Sequence, residues 1–344
     1  MARRQPTTAT VRIGIIGAGA WGTALATVAA DAGHDVLLWA REHEVVESIN
    51  STHINAPFLP DIALQPTIRA TSTLAHLIDS DLLIHATPTQ YARLVLTEAN
   101  NAGILAGKPL VSVAKGIEIG THRFIGDIVR EVAPDVSSFS VLSGPSHAEE
   151  VGRQMPTTVV CASQSAAHAD FIQQALHTEY FRIYTSTDVV GVELCGALKN
   201  VIAIAAGIVD GVGLGDNTKA ALMTRGLAEI ARLGKAIGAD PSTCYGLAGM
   251  GDLIVTAGSR HSRNRFVGEQ IGLGKNIDDI LSSMNAVAEG IPTTKAALEL
   301  AASVGVELPI TEKVAAIVFD NASPMDSINE LMLRPLGPED SVQE

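Results

Sequence analysis

The sequence predicts an α/β domain with a doubly wound, mostly parallel sheet, followed by an all-helical domain. Three observations carry this. Through the first half, short β-rich apolar runs alternate with helical segments; the first run passes straight into a turn with glycines at 17, 19 and 22; and after Thr187 long helical stretches with glycine-rich joints take over. At 344 residues the chain accommodates two domains of the usual size of about 100–200 residues, each with its own core. The expected division is a flexible extension at 1–10, a sheet domain at 11–187, a helical domain at 188–334 and a flexible tail at 335–344.

In order, the candidate strands are 11–16, 35–39, 82–86, 109–113, 139–142 and 157–161, with a weaker one at 181–184. Several are apolar on both faces, as strands are when helices cover both sides of a parallel sheet. Helical segments at 21–32, 89–101 and 122–132 separate them. The helical stretches of the second half are 189–209, 218–237, 265–271, 293–303 and 311–319. Arg3 and Arg4 ahead of an apolar run at 11–30 have the outline of an export signal, yet Gly17, Gly19, Gly22, Thr23 and Thr27 interrupt that run. No apolar run reaches the ~20 residues that cross a bilayer, since Lys199 and Asn200 break the best candidate. Neither export nor membrane insertion is expected, and the expected location is the cytoplasm.

A 47% hydrophobic content against 18% charged describes a compact globular protein, and 4% aromatics make its core aliphatic. The net charge of −13 argues against nucleic acid or an anionic membrane as partner, because both are held mainly by lysine and arginine. Cys161, Cys195 and Cys244 lie far apart, in no metal-ligand spacing and in an odd number. Neither a metal site nor a disulfide framework is expected, and a reducing compartment fits.

Gly17-Ala18-Gly19-Ala20-Trp21-Gly22 joins the first strand to a helix, the setting of a dinucleotide-binding turn in a Rossmann-type domain. Gly17 permits the tight turn, Gly19 lets backbone approach a pyrophosphate, and Gly22 lets helix and strand pack closely, with the helix N-terminus facing the anion. An ordinary glycine turn is the alternative. The next strand ends Leu38-Trp39-Ala40-Arg41, without the acid that a strict NAD protein sets against the ribose hydroxyls. Arg41 there tolerates a 2′-phosphate, so NADP(H) is expected to serve at least as well as NAD(H). Three more loops follow strand ends, where ligands of such sheets gather. Thr87-Pro88-Thr89 lines the cofactor cleft or merely caps a helix. Lys115, in Ala114-Lys115-Gly116, reaches phosphate or substrate oxygens or lies solvated. Ser143-Gly144-Pro145-Ser146 leads into a helix, with Ser146 and Glu149 in a capping-box pattern.

Within 189–209 the only strongly polar side chains are Glu193, Lys199 and Asn200. An ammonium group in that setting is costly unless it is paired or loses its proton, and its helix neighbours Cys195, Gly196, Ile202 and Ala203 cannot pair it. Either Lys199 snorkels to water, or a group from elsewhere faces it and it serves as a base. Asp252 is a candidate for that group; it ends the close-approach segment Gly246-Leu247-Ala248-Gly249-Met250-Gly251, although it also suits a cap. Ser259-Arg260-His261-Ser262-Arg263-Asn264-Arg265 then gathers three guanidinium groups, a match for phosphate oxygens, with a salt-bridged helix start as the plainer reading.

The turn at 17–22, Ala114-Lys115-Gly116, Ser143-Gly144-Pro145-Ser146, Ala197-Leu198-Lys199-Asn200, the segment 246–252, Ser262-Arg263-Asn264 and Val287-Ala288-Glu289-Gly290 together resemble the soluble bacterial NAD(P)-dependent glycerol-3-phosphate dehydrogenases, over about 12–335. The resemblance implies interconversion of sn-glycerol 3-phosphate and dihydroxyacetone phosphate with NADP(H) or NAD(H), in a homodimer that supplies glycerophospholipid synthesis. It implies Lys199 as proton acceptor, with Asp252 also catalytic, and Lys115, Gly144, Ser146, Lys199, Asp252, Ser262, Arg263 and Asn264 around the substrate. Beyond the glycine turn it places Trp21, Arg41, Phe58, Ala148, Val287 and Glu289 along the cofactor, with Lys115 and Arg263 close to both ligands. Two departures are visible: Phe58 stands where the family often has tyrosine, and Ala257 where cysteine is common. A related β-hydroxyacid dehydrogenase would share the first domain and a helical lysine but needs a carboxylate site. A non-enzymatic dinucleotide sensor would need no neutral lysine.

Overall fold

The structure, a computed structural model, describes residues 10–284 and 287–339. Residues 1–9 of the expected extension at 1–10 and residues 340–344 of the expected tail at 335–344 lie outside the described residues. The first half runs β1 (Arg12–Ile16), α1 (Ala20–Asp31), β2 (Asp35–Trp39), α2 (His43–Thr52), β3 (Ile54–Asn55), β4 (Leu59–Ala63), β5 (Arg69–Thr71) and β6 (Leu82–His85). It continues with α3 (Thr89–Asn101), β7 (Pro109–Ser112), α4 (Ile125–Val132), β8 (Ser138–Ser143), α5 (Ala148–Gly152), β9 (Thr157–Ala162), α6 (Ala166–Ala175) and β10 (Phe181–Ser186).

One sheet forms in the order β10-β9-β8-β7-β6-β1-β2-β5, and this is the predicted fold class. Strands such as β6 are buried along their whole length, as a sheet sandwiched between helices requires. The strand order reverses between β1 and β6, and ligands of such sheets bind at that crevice, beyond the carboxyl ends of the strands. Gly17 sits there, its N–H donating to the Trp39 carbonyl at 3.0 Å while Ala86 N–H donates to the Ile16 carbonyl at 2.9 Å.

Several elements differ from the expectation. β9 pairs antiparallel with β8, a direction that its side chains do not encode. β5 and the β3–β4 pair were not foreseen, because two to five residues carry too few side chains to reveal a period, and neither was the ten-residue α2. α4 begins at Ile125 rather than at 122, since His122 adopts a φ of 58° and Phe124 is the N-cap. At the β5 edge, the Asn50 side chain both donates to the Ala70 carbonyl and accepts from the Ala70 N–H, each at 2.9 Å.

The second half comprises α7 (Val189–Gly211), α8 (Asp216–Ala236), α9 (Asp252–Gly258), α10 (Arg263–Gly272), α11 (Ile277–Ser282), α12 (Gly290–Ser303), α13 (Pro309–Asp320) and α14 (Pro324–Met332). α7 is its axis, packed against α8, α9, α10, α12 and α13. Contrary to the sequence expectation, its 23 residues are long and apolar enough to cross a membrane, with mean hydropathy 1.8; the apolar 18-residue stretch within it is nevertheless wholly buried inside the protein. α10 lies in register along α7. A Cβ on Gly268 would stand 1.9 Å from the Ile204 carbonyl oxygen, and one on Gly207 2.0 Å from the Arg265 carbonyl oxygen. Glycine at both places lets the two backbones touch, and this sets Asn264 beside Asn200.

Candidate active site

The glycine turn has the geometry that a dinucleotide needs. Gly17 has a φ of 120°, and a Cβ on Gly22 would fall 2.0 Å from the Gly17 carbonyl oxygen, so neither position admits a side chain. A Cβ on Gly19 would meet nothing within 4 Å. The first turn of α1 has no side-chain cap and no acid, which leaves its N–H groups to an anion. Asn55, fully buried, holds the turn from behind by donating to the Ala18 carbonyl at 2.7 Å. Trp21 Nε1 at the start of α1 and Glu289 Oε2 are buried without a protein partner. These features fit NAD(P). The Trp21 ring packs 6.4 Å from Phe181, Phe58 lies half-buried against the same apolar cluster, Ala148 is buried, and Arg41 and Val287 are exposed.

Asp252, 1% exposed, stands between two lysines. Its Oδ1 accepts from Lys199 Nζ at 2.8 Å and its Oδ2 from Lys115 Nζ at 2.6 Å. Lys199 comes from α7, Lys115 from the loop after β7, and Asp252 from the first turn of α9. Lys199 Nζ also donates to Thr256 Oγ1 at 2.7 Å, and Lys115 Nζ to the Gly144 carbonyl at 3.1 Å. Lys199 therefore does not snorkel. Burial pushes its ammonium down to about 8; Asp252 holds it up, while Lys115 and Arg263 push further down. Burial opposes ionisation of Asp252, but the two lysines outweigh it and hold the carboxyl below its ordinary value.

A second chain of contacts runs from Lys115 to α12. Asn200 donates to the Lys115 carbonyl at 3.3 Å, Asn264 donates to Asn200 Oδ1 at 2.9 Å, and Gly290 N–H donates to Asn264 Oδ1 at 2.9 Å. Arg263 is exposed at the site's rim and donates to the Val287 carbonyl at 3.2 Å. Glu289 accepts from Thr89 N–H at 3.0 Å, tying α3 to the helical half.

Other parts of the arginine-rich segment have structural work. Arg265 pairs with Asp210 at 2.7 Å and Glu269 at 3.4 Å, and Ser262 caps α10 by accepting from Arg265 N–H at 3.2 Å. The capping box expected at Ser146 is absent: α5 starts at Ala148 after His147, and Ser146 Oγ instead donates to the Gly144 carbonyl at 2.9 Å. Sequence reasoning passed over Thr256 and gave Asn200 no role of its own. Thr256 lies four residues after Asp252 on one helix, a spacing that would have flagged it.

A glycerol-3-phosphate dehydrogenase [NAD(P)+] of Geobacillus thermodenitrificans is 50% identical over 325 residues, 94% of either chain, and one of Chlorobium phaeobacteroides is 48% identical over 94% of this chain and 98% of its own. Residues 12–169 and 188–329 match the family models described as the N-terminus and C-terminus of NAD-dependent glycerol-3-phosphate dehydrogenase. The chain belongs to this family. Among solved structures, glycerol-3-phosphate dehydrogenase from Coxiella burnetii superposes with TM-score 0.89 at 35% identity, covering 94% of this chain and 99% of that one. A ketopantoate reductase from Ralstonia eutropha, at 16% identity and TM-score 0.61, shares the fold alone with this glycerol-3-phosphate dehydrogenase family member.

Proposed function

We propose that the chain interconverts sn-glycerol 3-phosphate and dihydroxyacetone phosphate with NADP(H) or NAD(H). The observation that carries this is the buried Asp252 carboxylate holding Lys199 and Lys115, with Arg263 at the rim of the same site. When bound, the nicotinamide supplies acceptance or donation of a hydride. The chain's own part is proton transfer and positioning. A neutral Lys199 amine has two N–H groups and one lone pair; Asp252 and Thr256 account for the N–H groups, which leaves the lone pair to take the substrate's hydroxyl proton. In reduction the ammonium returns that proton to the forming alkoxide. Asp252 stays ionised and fixes the orientation of Nζ. Arg263 and Asn264 hold the phosphate, whose remote binding energy sets the carbinol carbon in place.

On this reading the first turn of α1 receives the pyrophosphate and Arg41 the 2′-phosphate of NADP(H), with Trp21, Phe58, Ala148, Val287 and Glu289 lining the cofactor. Lys115, Gly144, Ser146 and Ser262 complete the substrate's surroundings. The enzyme works as a cytoplasmic homodimer and supplies glycerol 3-phosphate to glycerophospholipid synthesis. The test is consumption of NADPH, then NADH, with dihydroxyacetone phosphate and with a panel of β-ketoacids. Turnover of the ketoacids without turnover of dihydroxyacetone phosphate would reject the reading.

A further inference from the structure

Two of the three cysteines, unremarkable in the sequence, meet in the fold. Cys195 Sγ and Cys244 Sγ are 3.4 Å apart, and both residues are buried. Cys195 lies one turn before Lys199 on α7, and Cys244 lies two residues before the segment 246–252 that ends in Asp252. We infer that this pair is an oxidation site, closing to a disulfide that displaces Asp252 from Lys199 and switches the enzyme off.

Geometry supports each part. A disulfide bond of about 2.05 Å requires the sulfurs to approach by roughly 1.4 Å. The segment carrying Cys244 is already fastened along α7 at neighbouring points: Asp188, the α7 N-cap, accepts from Asp240 N–H at 3.0 Å and from Thr243 Oγ1 at 2.6 Å. Gly249 rests directly on Cys244, where a Cβ would lie 2.1 Å from its carbonyl oxygen. With no slack between the Cys244 backbone and Gly249, closure of the disulfide that draws the Cys244 backbone toward α7 is passed to Asp252, three residues beyond Gly249.

A cavity of about 640 Å³ comes up to the neighbours of both cysteines, being lined by Val192 on the Cys195 turn and by Thr243, Gly246 and Ala248 around Cys244, and is the side from which a small oxidant would approach the buried pair. Its rim includes the exposed Tyr184. The oxidant class is a peroxide. One thiol sulfur bonds to an oxygen of hydrogen peroxide as the O–O bond breaks, its proton leaving with the hydroxide as water and giving a sulfenic acid. The second sulfur then attacks the first, the S–O bond breaks and another water leaves. The sulfurs lose two electrons and the peroxide gains them. The hydrogen bond with Cys244, followed by burial, pushes the Cys195 thiol up, so the first step is slow and the pair answers sustained oxidant.

The experiment treats the full chain with hydrogen peroxide, then counts free thiols after denaturation and maps cross-linked peptides by mass spectrometry. The expected result is one remaining thiol, Cys161, a 195–244 cross-link, and activity reduced on the order of ten- to hundredfold and restored by dithiothreitol. Cys195→Ser and Cys195→Ala should begin with normal activity and keep it under peroxide. Three intact thiols in treated protein would overturn the inference, as would a 195–244 cross-link with activity unchanged or variants inactivated as fast as the parent. The activity readout rests on the proposed reaction, but the thiol count and the cross-link do not, so a wrong substrate cannot mimic a failed switch.

Discussion

Lys199 has two hydrogen bonds on the protein side and one direction left for a substrate, so its replacement by a residue of similar length without a proton site isolates its chemistry. Lys199→Met should lower turnover by about 10³-fold or more while NADPH titration by fluorescence shows little change in binding. With the amine's pKa lowered from 10.5 to about 8, oxidation needs the neutral form, and reduction the charged one. Initial rates of glycerol 3-phosphate oxidation should therefore climb as pH rises through about 8, and rates of dihydroxyacetone phosphate reduction should fall over the same interval. Lys199 was legible in the sequence because a charge inside an apolar helix demands a partner, and Asp252 because it ended a segment of unusual closeness. Thr256 was not, since a threonine on a helix is unremarkable until its hydroxyl is placed. Nor was the double pairing of Asp252, because Lys115 reaches it from the other half of the chain.

Among the elements, α7 and α10 depend on absent side chains. Gly268→Ala would drive a methyl group into the Ile204 carbonyl and should destabilise the fold by about 1–3 kcal/mol in chemical unfolding, with a parallel loss of substrate affinity as Asn264 shifts. Glu229, buried on α8, caps α13 by accepting from Ile310 N–H at 2.6 Å and Thr311 N–H at 3.3 Å. Burial raises its carboxyl from 4.5 to about 7 despite those bonds. A raised carboxyl stabilises the protein fully below pH 4.5, and that contribution is lost as pH rises through about 7. Glu229→Gln should flatten the fall in melting temperature over this interval, an effect of order 3 kcal/mol. The central strands were readable because both their faces are apolar. β5 and β3–β4 were not, being held by partners outside themselves such as Asn50.

Across the whole molecule, carboxyl groups of the helical half cap helices of the sheet half. Glu193 on α7 accepts from Gly126 N–H at 2.8 Å at the start of α4, and Glu289 does the same for α3. With the Lys115–Asp252 pair, these contacts hold the helical half that carries Lys199 against the sheet half. The proposed homodimer predicts a sedimentation-equilibrium mass of twice the 35.9 kDa chain, and a single-chain mass would remove that part of the proposal. How copies could meet is narrowed by the sheet's margin. Asn50 answers Ala70 with one donor and one acceptor, as a neighbouring backbone would, so the margin ends in an imitation strand one residue long. A foreign or sister chain finds no template there for zipping on, and association of copies by lengthening the sheet past β5 is closed off.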